Sequence, residues 1–170
     1  MDNEKPIIGS TEFVKVGNIE KIPAKIDTGA DTSSVWASSI NMRKDGILEY
    51  VLLDKDSPLY SGDVIETKDY MAKLVRSSHG DQQVRYRVKL PVTISGKTFE
   101  TTFTLADRSR NNFPILIGRH TLEGNFLVDV SKSSVPRKVN PKANVLNDKL
   151  KEDPYEFHQK YIKNKQEKIR

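Results

Sequence analysis

The run Ala24-Lys25-Ile26-Asp27-Thr28-Gly29-Ala30-Asp31-Thr32-Ser33-Ser34 gathers the residue types most able to do chemistry in this 170-residue chain. Ile22, Ala24 and Ile26 alternate with other positions, which predicts a half-buried strand delivering Asp27 to a turn. Gly29 admits backbone conformations closed to other residues and has no side chain, so amide N–H groups can approach a carboxylate there. Thr28 adds a compact hydroxyl able to donate to or accept from neighbouring backbone. These residues are arranged to hold an aspartate in place. Asp, Thr, Gly and Ser are also common turn formers, so Asp-Thr-Gly alone equally describes an ordinary turn.

A second stretch shifts that balance. Phe113-Pro114-Ile115-Leu116-Ile117-Gly118-Arg119 is an apolar strand running into Gly-Arg, and Leu122 to Val130 supplies another apolar strand. Together the two stretches resemble the retropepsins, the single-lobed aspartic peptidases of retroviral type. That family has a hydrophobic residue before Asp-Thr-Gly-Ala-Asp, then a flap hairpin, an apolar strand ending in Gly-Arg, a short helix and a terminal strand. The chain is also similar to the bacterial retropepsin-like branch labelled "ATP-dependent zinc protease". The similarity lies in Ala24 to Ser34, in Asp107-Arg108-Ser109 leading into Phe113 to Arg119, and in Leu127-Val128-Asp129. It covers residues 7 to 133.

The resemblance implies an all-β fold: a retropepsin-like closed β-barrel (the acid protease fold) with a flap hairpin and one short helix after Gly-Arg. It implies a peptidase that hydrolyses peptide or amide bonds with water activated between two carboxylates. Two carboxyl groups about 3 Å apart cannot both ionise, so one serves as base while the other serves as acid. The chain has a single Asp-Thr-Gly. The resemblance therefore implies a homodimer in which Asp27 of each subunit meets its copy on a two-fold axis. Thr28 and Gly29 would support the catalytic turn, and Asp31 and Arg119 would pair behind it as a brace. A hairpin from Lys73 to Arg87, its tip at Ser78-His79-Gly80, would close over a peptide or protein substrate. Asp107 and Asp129 also lie near strand ends, but neither precedes Thr/Ser-Gly, and both read as structural.

The branch label finds no support in the residues. A zinc peptidase helix presents two His at i and i+4 with a Glu between them. Here His79, His120 and His158 are far apart and Cys is absent, so no metal site is expected. Ser95-Gly96-Lys97-Thr98 is similar to the end of a phosphate-binding loop, yet that motif's first Gly would fall at Pro91 and the surroundings read as a hairpin. No cofactor is expected.

The elements that must position the site are short strands. Ile7 to Gly9 and Glu12 to Val16 predict an opening strand pair, and Gly17-Asn18 a turn. Ile47 to Leu53, Ile65 to Val75, Val84 to Ile94 and Lys97 to Leu105 predict further strands, the last two joined at Ser95-Gly96. Pro91 inside a strand run predicts an edge or a bulge. Trp36 reads as a core residue, with stacking on substrate as the alternative. No helical period precedes residue 119, which supports a barrel or sandwich.

Charge divides the chain at the same place as composition. Residues 1–135 carry 18 Lys+Arg and 18 Asp+Glu, whereas residues 136–170 carry 10 and 5, so the whole net charge of +5 lies in the tail. The reading is a peptidase domain over 1–135 and a basic C-terminal extension over 136–170, a Pro-, Lys- and Asn-rich linker followed by a helix starting at Asp153-Pro154-Tyr155-Glu156. A neutral domain argues against nucleic acid as partner. No run approaches the length of a membrane span, and no basic-then-apolar leader opens the sequence. The expectation is a soluble cytoplasmic bacterial protein, or a periplasmic one if an export signal precedes residue 1. Two other classes stay open: a retropepsin-like binding or interaction module whose dyad never forms, and an RNA-associated protein acting through its basic tail.

Overall fold

Alternation of apolar and polar residues along the chain yields strands with one buried face. The computed structural model describes residues 4–76, 82–136 and 141–166, divided into two units, residues 1–135 and 136–170.

In the first unit, β1 (Ile7–Ile8), β2 (Thr11–Val16), β3 (Ile19–Asp27), β4 (Ser33–Met42), β5 (Leu48–Leu52) and β6 (Val64–Thr67) come first in the chain. Then follow β7 (Tyr70–Arg76), β8 (Gln82–Ile94), β9 (Lys97–Ala106), β10 (Ile115–Gly118), the short helix α1 (Arg119–Leu122) and β11 (Leu127–Val128). Six strands run in the order β10-β3-β2-β8-β9-β4, and β10 pairs β4 to close the ring. This is the closed barrel of a retropepsin-like fold. Strands β5 and β6 extend the sheet from β4, β7 hangs on β8, and β1 pairs β11 in a separate parallel ribbon.

Closure removes exposed edges and gives the barrel one interior. Val14 and Val16, Ile22, Ala24 and Ile26, Val35, Val88, Val92 and Ile94, Phe103, Leu105, Ile115 and Ile117 fill it. Each large aliphatic side chain taken fully out of water contributes about 2 kcal/mol. Trp36 is partly buried and packs against this core.

Several sequence expectations are corrected: β1 pairs β11 and not β2, and the apolar run from Leu122 to Val130 keeps only Leu127–Val128 as a strand, because Leu122 ends α1 and Gly124 turns the chain at φ 76°. The predicted strand from Ile65 to Val75 is two strands, interrupted at Lys68–Asp69, where the Asp69 N–H donates to Thr67 Oγ1 at 3.0 Å. Pro91 occupies neither an edge nor a bulge, since β8 and β9 run in unbroken register through Pro91↔Glu100. On its other side β8 pairs β7 up to Val88 and β2 from Val92. The missing N–H of Pro91 therefore falls where one partner gives way to the next. The start of the tail is helical as well as linking: α2 (Pro141–Glu152) precedes α3 (Pro154–Gln166). Pro at the first helical position and the Ala, Leu and Lys that follow suit a helix. Asp153 caps α3, its Oδ1 accepting from the Glu156 N–H at 2.9 Å.

Ser95 and Gly96 take φ values of 49° and 76° in the β8–β9 turn, a two-residue hairpin connection. Among the described residues no helix is long and apolar enough to cross a membrane.

Candidate active site

Asp27 ends β3, where the backbone turns. Its carboxylate Oδ1 accepts the N–H groups of Gly29 at 3.1 Å and Ala30 at 3.2 Å, and Asp27 is only partly buried. One carboxylate oxygen is thus engaged by the turn itself, while Oδ2 accepts no hydrogen bond among the described residues. Gly29 is not in the left-handed region, and a Cβ built there would meet Asp27 Oδ1 at 3.5 Å, an ordinary contact. The expected need for an unusual glycine backbone does not hold at this position. Thr28 is exposed, and its hydroxyl makes no hydrogen bond among the described residues.

The far end of the chain clamps this turn. Gly118 is the register partner of Asp27 across the parallel β3–β10 pair. A Cβ at Gly118 would fall 2.5 Å from the Thr32 carbonyl carbon and 2.9 Å from the Ala30 oxygen, closer than any side chain tolerates. Directly after it, the Arg119 N–H donates to the Ala30 carbonyl at 2.7 Å and the His120 N–H to that of Asp31 at 3.1 Å. Arg119 Nη2 reaches Asp31 Oδ1 at 2.6 Å, both side chains more than half exposed. Exposed ion pairs contribute about 1 kcal/mol or less, so the backbone bonds and close packing hold the turn more firmly than the charges do.

Beneath the turn lies a group of hydroxyls. Ser33 and Thr121 are the buried polar side chains among the described residues. Ser33 Oγ accepts the Gly118 N–H at 3.0 Å and lies 2.6 Å from Thr121 Oγ1, which lies 2.8 Å from Thr101 Oγ1. The Gly118 N–H and both buried hydroxyls find acceptors if the chain runs from Gly118 through Ser33 and Thr121 to the partly buried Thr101. Sequence reasoning passed over both residues. Ser33 is one of several small polar residues after the turn, and nothing local marks Thr121 as facing it.

Strands β7 and β8 form the hairpin expected as a flap, in register from Tyr70↔Val88 to Arg76↔Gln82. The expected tip, Ser78-His79-Gly80, lies outside the described residues. Asp107 and Asp129 are both committed to local turns: Asp107 Oδ1 accepts the Ser109 N–H at 2.9 Å, and Asp129 Oδ1 accepts the Ser131 hydroxyl at 2.6 Å. Those bonds hold both carboxyls below the usual range. Among the described residues no three His, Asp or Glu side chains gather as a metal site would require.

A closed barrel with Asp-Thr-Gly at the end of β3, packed against Gly-Arg at the end of β10, is the architecture of single-lobed aspartic endopeptidases. A family model described as retropepsin-like aspartic endopeptidase RimB matches residues 7–139, and the chain belongs to this RimB-like family. It is similar to a protein of Shewanella pealeana named "Probable alpha-L-glutamate ligase", 31% identical over 139 residues, which are 78% of this chain and 30% of that protein. A protein of the same name from Parasynechococcus marenigrum is 25% identical over 130 residues, 74% of this chain and 28% of its own. The chain thus spans about a third or less of these relatives. Among solved structures it is similar to Lpg0085 of Legionella pneumophila, a protein of unknown function. The TM-score is 0.59 and the identity 25%, covering 75% of this chain and 95% of that one.

Proposed function

We propose that this protein is a homodimeric aspartic endopeptidase in which Asp27 from two copies activates a water molecule for attack on an amide carbonyl. The observation that carries this reading is the state of Asp27: one carboxylate oxygen is pinned by two turn amides and the other is left without a partner among the described residues. A dyad needs that arrangement, a fixed carboxylate with one face free to share a proton and a water with its twin. Each chain supplies one such turn, so the second carboxylate comes from a second copy related by two-fold symmetry. The β7–β8 hairpin would exclude water and hold an extended peptide by its backbone.

The matched relatives are named for ligation of L-glutamate, and this chain resembles one part of them. We infer a substrate of the kind such a ligase makes, a peptide containing glutamate–glutamate bonds, which this protein would trim.

The test is cleavage of a peptide library and of oligoglutamate by the wild-type chain and by Asp27→Asn. The variant should lose turnover by at least about a thousandfold while its circular dichroism and melting temperature stay unchanged. Binding by the wild type without cleavage of any peptide would replace the peptidase with an interaction module.

A further inference from the structure

Residues paired across a sheet point to the same face. Lys25, Leu116, Ser34, Thr104 and Arg87 form one such row, each the register partner of the next on β3, β10, β4, β9 and β8. The adjoining positions Ile26, Ile117, Val35 and Leu105 are buried in the core, so this row faces away from it. Asp27 lies two residues beyond Lys25 on β3 and shares that face.

Arg108, in the segment between β9 and β10, lies against this row. Its Nη1 donates to Ser34 Oγ at 2.9 Å and its Nε to the Phe113 carbonyl at 3.0 Å. A guanidinium has five N–H donors, so its plane is fixed while Nη2 stays available. The side chain is partly buried, and that burial lowers its pKa. Two other arginines of the barrel are paired: Arg43 has Asp45, Glu49 and Glu66, and Arg119 has Asp31. Among the described residues no carboxylate is within ion-pair distance of Arg108, Lys25 or Arg87. A partly desolvated cation without a counter-ion is a place where an incoming anion offsets a standing cost.

We propose that Arg108, with Lys25 on the other side of Leu116, determines specificity by reading carboxylates of an acidic substrate segment laid along the Asp27 face. This rests on the peptidase reading and deepens it. Adjacent strands are about 4.8 Å apart, which puts Lys25 and Ser34 about 10 Å apart across the row. Same-face side chains of an extended peptide recur about every 7 Å, so both cations reach carboxylates of one bound segment. The fixed fork of Arg108 suits bidentate binding, and its anchoring by Ser34 and Phe113 means little order is lost when a carboxylate arrives.

The experiment measures binding by the full chain in the Asp27→Asn background, by fluorescence anisotropy with labelled peptides of equal length. The probes are C-terminally amidated oligoglutamate, amidated oligoglutamine, and oligoglutamine with a free C-terminus. Amidated oligoglutamate should bind at least about tenfold tighter than amidated oligoglutamine. Arg108→Gln should reduce that preference to within about twofold, and Arg108→Lys and Lys25→Gln should leave it intermediate. An unchanged preference in Arg108→Gln overturns the proposal, as does the absence of any preference in the parent. Should Arg108→Gln fail to fold, an unchanged preference in both Arg108→Lys and Lys25→Gln overturns it. Full affinity for free-ended oligoglutamine would assign the site to a chain terminus and also reject side-chain reading. Cleavage by the wild type is scored separately. Equal cleavage of both amidated peptides removes this proposal and leaves the peptidase, whereas Arg108-dependent binding without cleavage removes the peptidase and leaves this proposal.

Discussion

At the scale of single residues, the Asp27 turn depends more on what touches it than on its own three letters. Gly118 has no room for a Cβ, because the Thr32 and Ala30 backbone fills that space. Gly118→Ala should lower stability by about 2–4 kcal/mol, read as a fall in the denaturation midpoint, since rigid backbone must move to admit the methyl group. Ser33 and Thr121 act as a pair. Ser33→Ala strands the buried Gly118 N–H and should cost about 1–3 kcal/mol. Combining it with Thr121→Val should cost less than the sum of the two single changes, because each removes a partner the other needs. A double-mutant cycle in urea measures that coupling. Additive losses would mean the two hydroxyls stabilise the fold independently.

At the scale of elements, the second face of each strand decides the outcome. Strand β5 buries Tyr50, and burial pushes its phenol up to about 12 from a usual value near 10. A raised folded-state pKa means that the folded chain keeps its proton longer than the unfolded chain. Its contribution to stability is complete below pH 10 and is lost as pH rises from 10 through 12. Tyr50→Phe should remove this share of the alkaline destabilisation, visible as a flatter melting temperature against pH in that window. In the second unit, Asp153 supplies the cap of α3. Asp153→Ala should reduce helical circular dichroism at 222 nm, by an amount equivalent to about 1 kcal/mol of helix stability.

At the scale of the whole molecule, the peptidase reading turns on association. Light scattering over a range of concentrations should give a mass approaching twice the 19.3 kDa of one chain. A monomer at every concentration and pH would leave Asp27 without its twin and reject the dyad. Charge is also distributed at this scale: the barrel sequence is balanced, while the basic excess lies beyond residue 135. Barrel neutrality conceals a local asymmetry, because Lys25, Arg87 and Arg108 share a face with no counter-ion among the described residues, while Asp45 and Asp31 pair with Arg43 and Arg119 elsewhere.

Sequence by itself determined the periodic strands, the Asp27 turn, the hairpin at Ser95-Gly96 and the Asp153 cap, because each rests on residues within a few positions of one another. It also gave the order of the two motifs whose resemblance pointed to a retropepsin barrel. Tertiary structure alone decided which residues meet. Pro91 is harmless in a central strand because β8 changes partners beside it. Ser33 and Thr121 are 88 positions apart in the chain and 2.6 Å apart in the fold. Arg108 and Ser34 come together only because β4 pairs both β9 and β10. Local propensity spans one turn or one strand, whereas barrel closure brings distant segments into register, and that register places the chemistry on one face.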